Sequence, residues 1–213
     1  MGDAQPTGPP DARFALAAAL RRVITATVAG RLDDDVIAAA TASVTELAEH
    51  LEARGGPGRR PRSQPDPRGD PQEFFPTSPA VGLLNPLSPP VLVYAEDGEI
   101  RGTATFDYAY EGPPGCVHGG VIAMVFDEIL GVANVQAASP GMTGTLSVKY
   151  RRPTPIRTPL RLEAHVVERT GRRIRIRGAI FHGDELTAEA EAVFVELTPE
   201  RLLRLMERQE STD

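Results

Sequence analysis

Two stretches of this sequence carry residue types at spacings that could do chemistry. The first is Gly112-Pro113-Pro114-Gly115-Cys116-Val117-His118-Gly119-Gly120, which runs into an apolar segment of helical length. Two glycines at a helix start let a ligand approach the backbone closely. The first-turn amides, reinforced by the helix dipole, suit a carbonyl oxygen that gains negative charge. The plainer alternative is that these glycines only make a tight strand-to-helix turn. The second feature is Asp127, whose neighbours include Val125, Phe126, Ile129 and Leu130. A carboxylate among apolar residues is costly unless paired or hydrogen-bonded. Asp127 is therefore either held for work as a base or nucleophile, or points outward at a break in the apolar face, as Glu128 beside it allows. Gly120 and Asp127 share nearly the same side of one helix, about 10 Å apart along its axis at roughly 1.5 Å per residue. One small reacting group does not span that distance. Two antiparallel copies of the helix would set the carboxylate of one beside the glycine amides of the other, which suits a two-fold dimer with shared sites.

Other chemistries fit less well. A glycine-rich loop after a histidine also suits the oxyanion loop of α/β-hydrolases, but that fold needs a Gly-x-Ser-x-Gly nucleophile elbow, and none occurs here. Cys116 and His118 are too close in sequence to assume a dyad, and Cys116 reads as a structural cysteine. His50, His165 and His182 are scattered over a helix, a strand face and a turn, so no metal site is expected. No Walker or dinucleotide-binding glycine pattern is present. The alternating Arg173, Arg175 and Arg177 read as a solvated strand face, with phosphate binding as a lesser alternative.

The elements that must hold these residues can be placed from periodicity. Residues 11–52 read as two helices, with a hairpin as one arrangement: Phe14, Leu16, Leu20, Val23, Ile24 and Val28 recur at helical spacing, then Val36, Ile37, Ala40, Val44, Leu47 and Leu51. The Asp33–Asp35 cluster suits the start of the second helix. Residues 53–90 are rich in Pro, Gly and Arg and read as a linker, its later part (76–90) lying extended against the domain that begins at 91. From 91 onward the pattern is strands: a hairpin turning at Asp97-Gly98, then alternating runs over 145–151, 160–169, 173–182 and up to about Leu197. A single segment, about 119–137, is apolar almost all round and so reads as a buried helix. A helix after one hairpin, followed by three more antiparallel strands, predicts an α+β domain (91–213) with a sheet wrapped around that helix. A short amphipathic helix is expected at 199–209.

Composition sets the outer bounds. The chain has 213 residues, 41% hydrophobic and 24% charged, which excludes wholesale disorder. Its net charge of −6 argues against nucleic acid bound through a general basic surface. Lys149 is the only lysine among 23 basic residues, so arginine counts carry little weight and only arginine positions are used. One cysteine excludes an internal disulfide framework. No secretory signal or membrane span is expected, and the expected location is the cytoplasm.

The stretches GCVHGGVIAMVFDEILG and TGTLSVKYRRPTPI together resemble the hotdog-fold acyl-CoA thioesterases, in particular the phenylacetate-pathway and THEM4-like type. The shared pattern is His-Gly-Gly, an acidic residue nine positions after the His, and a strand ending in an aromatic followed by basic residues and Pro. The resemblance covers about 91–197 and leaves the first 75 residues outside it. It implies a hotdog fold and hydrolysis of an acyl-CoA to free acid and coenzyme A, with no cofactor beyond the coenzyme A of the substrate. It implies that Asp127 is the catalytic carboxylate, as base or nucleophile, and that the amides of Gly119 and Gly120 polarise the thioester carbonyl. His118 would shape the loop or touch the thioester, Thr143 would orient the water, and Arg151 and Arg152 would lie near the coenzyme A phosphates. Such sites lie at the interface of a homodimer or dimer of dimers. The rival is a hotdog acyl-CoA binding or regulatory protein without turnover, which would not need a carboxylate at 127.

Overall fold

A computed structural model describes residues 12–56, 66–139 and 141–198. The element order is α1 (Ala12–Ala29), α2 (Asp34–Arg54), β1 (Val91–Glu96), β2 (Glu99–Ala104), α3 (Gly119–Gln136), β3 (Gly141–Tyr150), β4 (Leu160–Thr170), β5 (Arg173–His182) and β6 (Glu185–Glu196), with short 3₁₀ turns at Pro71–Glu73 and Tyr108–Tyr110. The six strands form one antiparallel sheet in the order β1-β2-β4-β5-β6-β3. The expected helix at 199–209 lies outside the described residues.

The sheet wraps α3, as the all-round apolar pattern requires. Ile122, Val125, Phe126, Ile129, Leu130 and Val132 are fully buried, and they meet Leu160, Leu162 and Ala164 of β4 and Ile174, Ile176 and Ile180 of β5. Gly178 lies on the same inward row of β5. A Cβ there would stand 3.0 Å from both Leu130 Cδ2 and the Glu163 carbonyl oxygen, so this glycine is what lets the helix come so close. The alternation over 160–169 predicts Leu160, Leu162, Ala164 and Val166 on the inward face, and the first three are buried. Val166 is 42% exposed because a bulge at Val166/Glu168 shifts the register there. By length and mean hydropathy (1.3) α3 is apolar enough to cross a membrane, as a core helix can be; here the sheet supplies its apolar surroundings.

The β1–β2 hairpin turns at Asp97 (φ 51°) and Gly98 (φ 80°), the pair of left-handed residues that a two-residue hairpin needs. The outer edge of β1 is covered by a segment that the sequence reading assigned to the linker. Residues 71–90 are ordered and packed: Phe74, Ala80 and Val81 join the core, and Ser78 and Ser88 are buried. The Val93 amide donates to Gln72 Oε1 at 2.8 Å, so a side chain occupies a hydrogen-bonding position that an edge strand leaves open. Residues 76–90 lie against the domain as expected, though in successive turns rather than extended, and the packed segment begins earlier, with Gln72 and Phe74. Residues 57–65 lie outside the described residues.

The two amino-terminal helices do not form a hairpin. Alpha-helix α2 has no buried residue, and its apolar stripe packs on no other element among the described residues. Helix α1 instead lies against the Tyr108–Tyr110 turn, with Ala17 buried at the contact. One turn on, the Arg21 guanidinium donates to the carbonyl oxygens of Ser88 (2.8 Å), Leu83 (2.7 Å) and Asn85 (2.9 Å). Burial pulls the Arg21 pKa down, while nearby Tyr110 raises it. Hydrogen bonds from a charged donor are worth about 1.5–3 kcal/mol each at best, and the fork cannot be copied by lysine. Replacing Arg21 with Ala or Lys is expected to release α1, seen as faster amide hydrogen exchange over residues 12–29 and 82–88 with β4 and β5 unchanged. Unchanged exchange in α1 would show that its docking does not depend on this clamp.

Candidate active site

The His-Gly-Gly run is built by the loop before α3. Glu111 and Val117 form an isolated bridge, as do Cys116 and Pro155. Gly115 sits at φ +76°, where its amide donates to the Glu111 carboxylate at 2.6 Å. Gly112 has no room for a side chain, since a Cβ would fall 2.8 Å from His118 Cα. Cys116 is partly buried, with its thiol near the Pro114 carbonyl, and it makes no contact with the His118 ring.

His118 is the N-cap of α3. Its Nδ1 accepts from the Gly120 amide at 3.0 Å, and its carbonyl accepts from Val121 (2.9 Å) and Ile122 (3.1 Å). Because Nδ1 is the acceptor, the ring proton of the neutral imidazole belongs on Nε2. These bonds take up the second to fourth amides of the helix and leave the Gly119 amide as the first-turn donor with no backbone partner among the described residues. The sequence reading gave Gly119 and Gly120 equal parts; the cap separates them, because the Gly120 amide is engaged by His118.

Asp127 stands on the exposed side of α3, two turns beyond Gly119 and Gly120. The Thr143 hydroxyl donates to its Oδ1 at 2.9 Å. The structure therefore joins two residues that the sequence placed in one site from separate elements. Thr143 opens β3 just before a bulge at Gly144, where a Cβ would crowd the Val193 carbonyl at 3.2 Å. At the other end of β3, the Tyr150 hydroxyl donates to the Gly119 carbonyl at 2.8 Å. Tyr150 entered the sequence reading only as part of a pattern. Its aromatic type at the end of an otherwise half-polar alternation was the available sign that it reaches across to the helix.

Arg151 and Arg152 continue from Tyr150, so they lie past the glycine end of α3 and away from Thr143. Their amides both donate to the Thr187 carbonyl. Arg151 pairs with Glu189, and Arg152 Nε lies 2.9 Å from Glu185 Oε1. The hydrogen bond from Arg151, with the charges of Arg151 and Lys149, holds the Glu189 carboxyl below its ordinary pKa. Both guanidiniums keep about half or more of their surface open, so an anion can share them with their carboxylates. The Arg173, Arg175 and Arg177 row faces away from α3, where Arg175 pairs with Glu168 and Arg177 with Glu191 at 2.7 Å. Among the described residues no cluster of three or more His, Cys, Asp or Glu side chains is placed to hold a metal ion.

This arrangement, an apolar helix inside a six-stranded antiparallel sheet with a carboxylate and capped glycines on its open face, is that of a hotdog-fold thioesterase domain. Residues 114–195 match the Thioesterase superfamily family profile. The crystal structure of RHA08564, a thioesterase superfamily protein, superposes with a TM-score of 0.79 at 35% identity, over 89% of this chain and 94% of that one. The chain belongs to the thioesterase superfamily. It is 35% identical over 91 residues to the acyl-coenzyme A thioesterase THEM4 of Xenopus laevis, and 33% identical over 95 residues to that of Mus musculus. These matches cover 42% and 44% of this chain, and the chain spans 41% of the length of each of those relatives.

Removing the Tyr150 hydroxyl tests the tie to the helix start. Tyr150→Phe is expected to cost about 1 kcal/mol of stability, the net worth of one hydrogen bond. Hydrogen exchange should rise at residues 119–122 and stay unchanged at 129–133. Equal exchange at both places in variant and parent would mean that the bond does not hold the helix start.

Proposed function

We propose that this protein is an acyl-CoA thioesterase that hydrolyses its substrate to a free acid and coenzyme A. The observation that carries this reading is the Thr143–Asp127 hydrogen bond. It fixes a carboxylate on an exposed part of a helix whose start offers the Gly119 amide to a carbonyl oxygen. With Oδ1 held by Thr143, Oδ2 is the oxygen left to take a proton from water. The resulting hydroxide attacks the thioester carbon, and the oxyanion is met by the Gly119 amide and the positive end of the α3 dipole. The C–S bond then breaks, and the leaving sulfur takes up the proton that Asp127 accepted. The route needs no further cofactor. His118 acts on this reading by fixing the loop and the helix start rather than by touching the thioester. Arg151 and Arg152 serve the phosphates of coenzyme A.

We also propose that the site is completed by a second copy of the chain. Gly119 and Asp127 are eight residues apart, about 12 Å along one helix at roughly 1.5 Å per residue, so one thioester does not reach both in a single chain. The two edges of the sheet also differ. The β1 edge is occupied by Gln72, whereas the outer edge of β3, which carries Thr143 and Tyr150, has no paired strand among the described residues. Pairing of two β3 edges would bring two α3 helices side by side and set the Asp127 of one near the Gly119 of the other.

A thiol-release assay over acyl-CoAs of several chain lengths tests the activity. Asp127→Asn is expected to lower kcat about 10²–10⁴-fold, the usual worth of a general base, with acyl-CoA binding retained. Thr143→Ala should cost less, since it removes one orienting hydrogen bond and leaves the base. Tight binding with no release from any acyl-CoA would favour a binding or regulatory protein instead. Near-normal turnover in Asp127→Asn with loss in Glu128→Gln would move the base to the neighbouring residue. Arg152→Ala should raise KM several-fold at unchanged kcat, because contacts remote from the thioester bind ground and transition states alike. A fall in kcat at unchanged KM would remove Arg152 from phosphate binding.

A further inference from the structure

The longest helix of the chain, α2, makes no use of its apolar face among the described residues. An isolated helix gains little from propensity alone, and protein helices are held chiefly by packing of an apolar stripe. On α2 that stripe is narrow and regular. Ile37, Ala40, Val44, Leu47 and Leu51 follow one another at alternating steps of three and four residues, the spacing of a helix-to-helix seam rather than of a broad face laid on a sheet. All five are exposed, Ile37 by 46% and Leu51 by 43%. The positions flanking the seam are Val36, Thr41, Ser43 and Ala48, with His50 and Glu52 further round on opposite sides, while Glu46 and Glu49 stand on the far side. Two such helices can therefore meet without setting carboxylates against each other.

The ends of the helix choose the partner and its direction. Asp33 precedes the first turn, yet its side chain caps no amide, and Asp34 and Asp35 come directly after it. Arg54 is the basic residue of the last turn. An antiparallel copy centred on Val44 would place Arg54 of each helix across from Asp34 of the other, next to Asp33. In that register Ile37 faces Leu51, Ala40 faces Ala48 so that the backbones can approach closely, Leu47 lies over Thr41, and Val44 meets itself. A parallel copy would gather both acidic starts at one end. The geometry points to a second copy of this chain as the occupant: α2 is a self-association helix that pairs antiparallel with its equivalent about a two-fold axis at Val44. This pairing is separate from the reaction proposed above and needs none of its residues.

Cysteine cross-linking of the full chain, with Cys116 replaced by Ala, tests both the pairing and its direction. Under mild oxidation Val44→Cys is expected to form a disulfide-linked dimer nearly completely. Ile37→Cys alone should stay unlinked, and a mixture of Ile37→Cys with Leu51→Cys should link. Val44→Cys that stays unlinked while reacting freely with a soluble thiol reagent would overturn the pairing, and Ile37→Cys that links to itself would overturn its direction. Without any new cysteine, the double substitution Val44→Glu and Leu47→Glu should speed hydrogen exchange over residues 34–54 at least tenfold and leave β4 and β5 unchanged. Unchanged exchange in α2 would overturn the proposal whatever the cross-linking gave.

Discussion

The structure depends on enclosing one apolar helix with one sheet. A helix that is apolar all round has to be covered on every side, and a single sheet covers it only by curling. Close approach at Gly178 lets β4 and β5 take the deepest side of α3. The curl leaves one side thinly covered, the side facing β3, where Leu146 and Val148 are only partly buried. Asp127 and the glycine start of the helix lie on that side. The candidate site sits where the fold is least able to exclude solvent by itself.

Two hydrogen bonds compensate for the thin cover. Thr143 ties the beginning of β3 to Asp127, and Tyr150 ties its end to Gly119. Both donate to α3, so β3 is braced to the helix at two points while its outer edge has no paired strand among the described residues. His118 adds a third constraint by capping the helix with its own side chain. That cap has a chemical consequence. An amide that already donates to an imidazole is a poor donor to an oxyanion, so on the proposed reading Gly119 rather than Gly120 is the amide left for the thioester oxygen. The helix dipole serves the same point, because its field is strongest at the first turn.

The fold was legible in the sequence where periodicity was strong. The inward row Ile174, Ile176, Gly178 and Ile180 alternates without a break, and the Asp97-Gly98 turn has one natural geometry, so both appear as expected. The candidate residues Asp127, Gly119 and Gly120 also stood out, because a carboxylate flanked by apolar residues in a helix and a glycine pair at its start are exceptions to local pattern. What was not legible depends on contacts between segments distant in sequence. The apolar residues of 76–90 suggested contact with the domain, but nothing in the composition of 71–75 showed that the strap begins there, since that depends on Gln72 reaching Val93 and on Phe74 finding the core. Arg21 reads like any other arginine of an arginine-rich chain, and only the four carbonyls that converge on it make it a clamp. The engagement of Gly120 by His118 was hidden for a related reason: a histidine before two glycines is compatible with several side-chain directions, and only the capped one removes the amide from use.

The two proposed self-contacts constrain each other. The β3 edge and the α2 stripe are each self-complementary, and a chain with two isologous surfaces has only a few ways to assemble. When both contacts are made with the same neighbour, the two-fold axes coincide and the dimer closes. Each contact then raises the effective concentration for the other, so neither has to be strong alone. When they are made with different neighbours, the axes differ, and perpendicular axes close a tetramer from two dimers. The junction at residues 30–33 decides between these outcomes, because it sets the direction in which α2 leaves the body that Arg21 holds α1 against. A firm anchor on α1 is therefore part of the assembly mechanism: if α1 were loose, α2 could pair in any direction and the chain would have no preferred closed form.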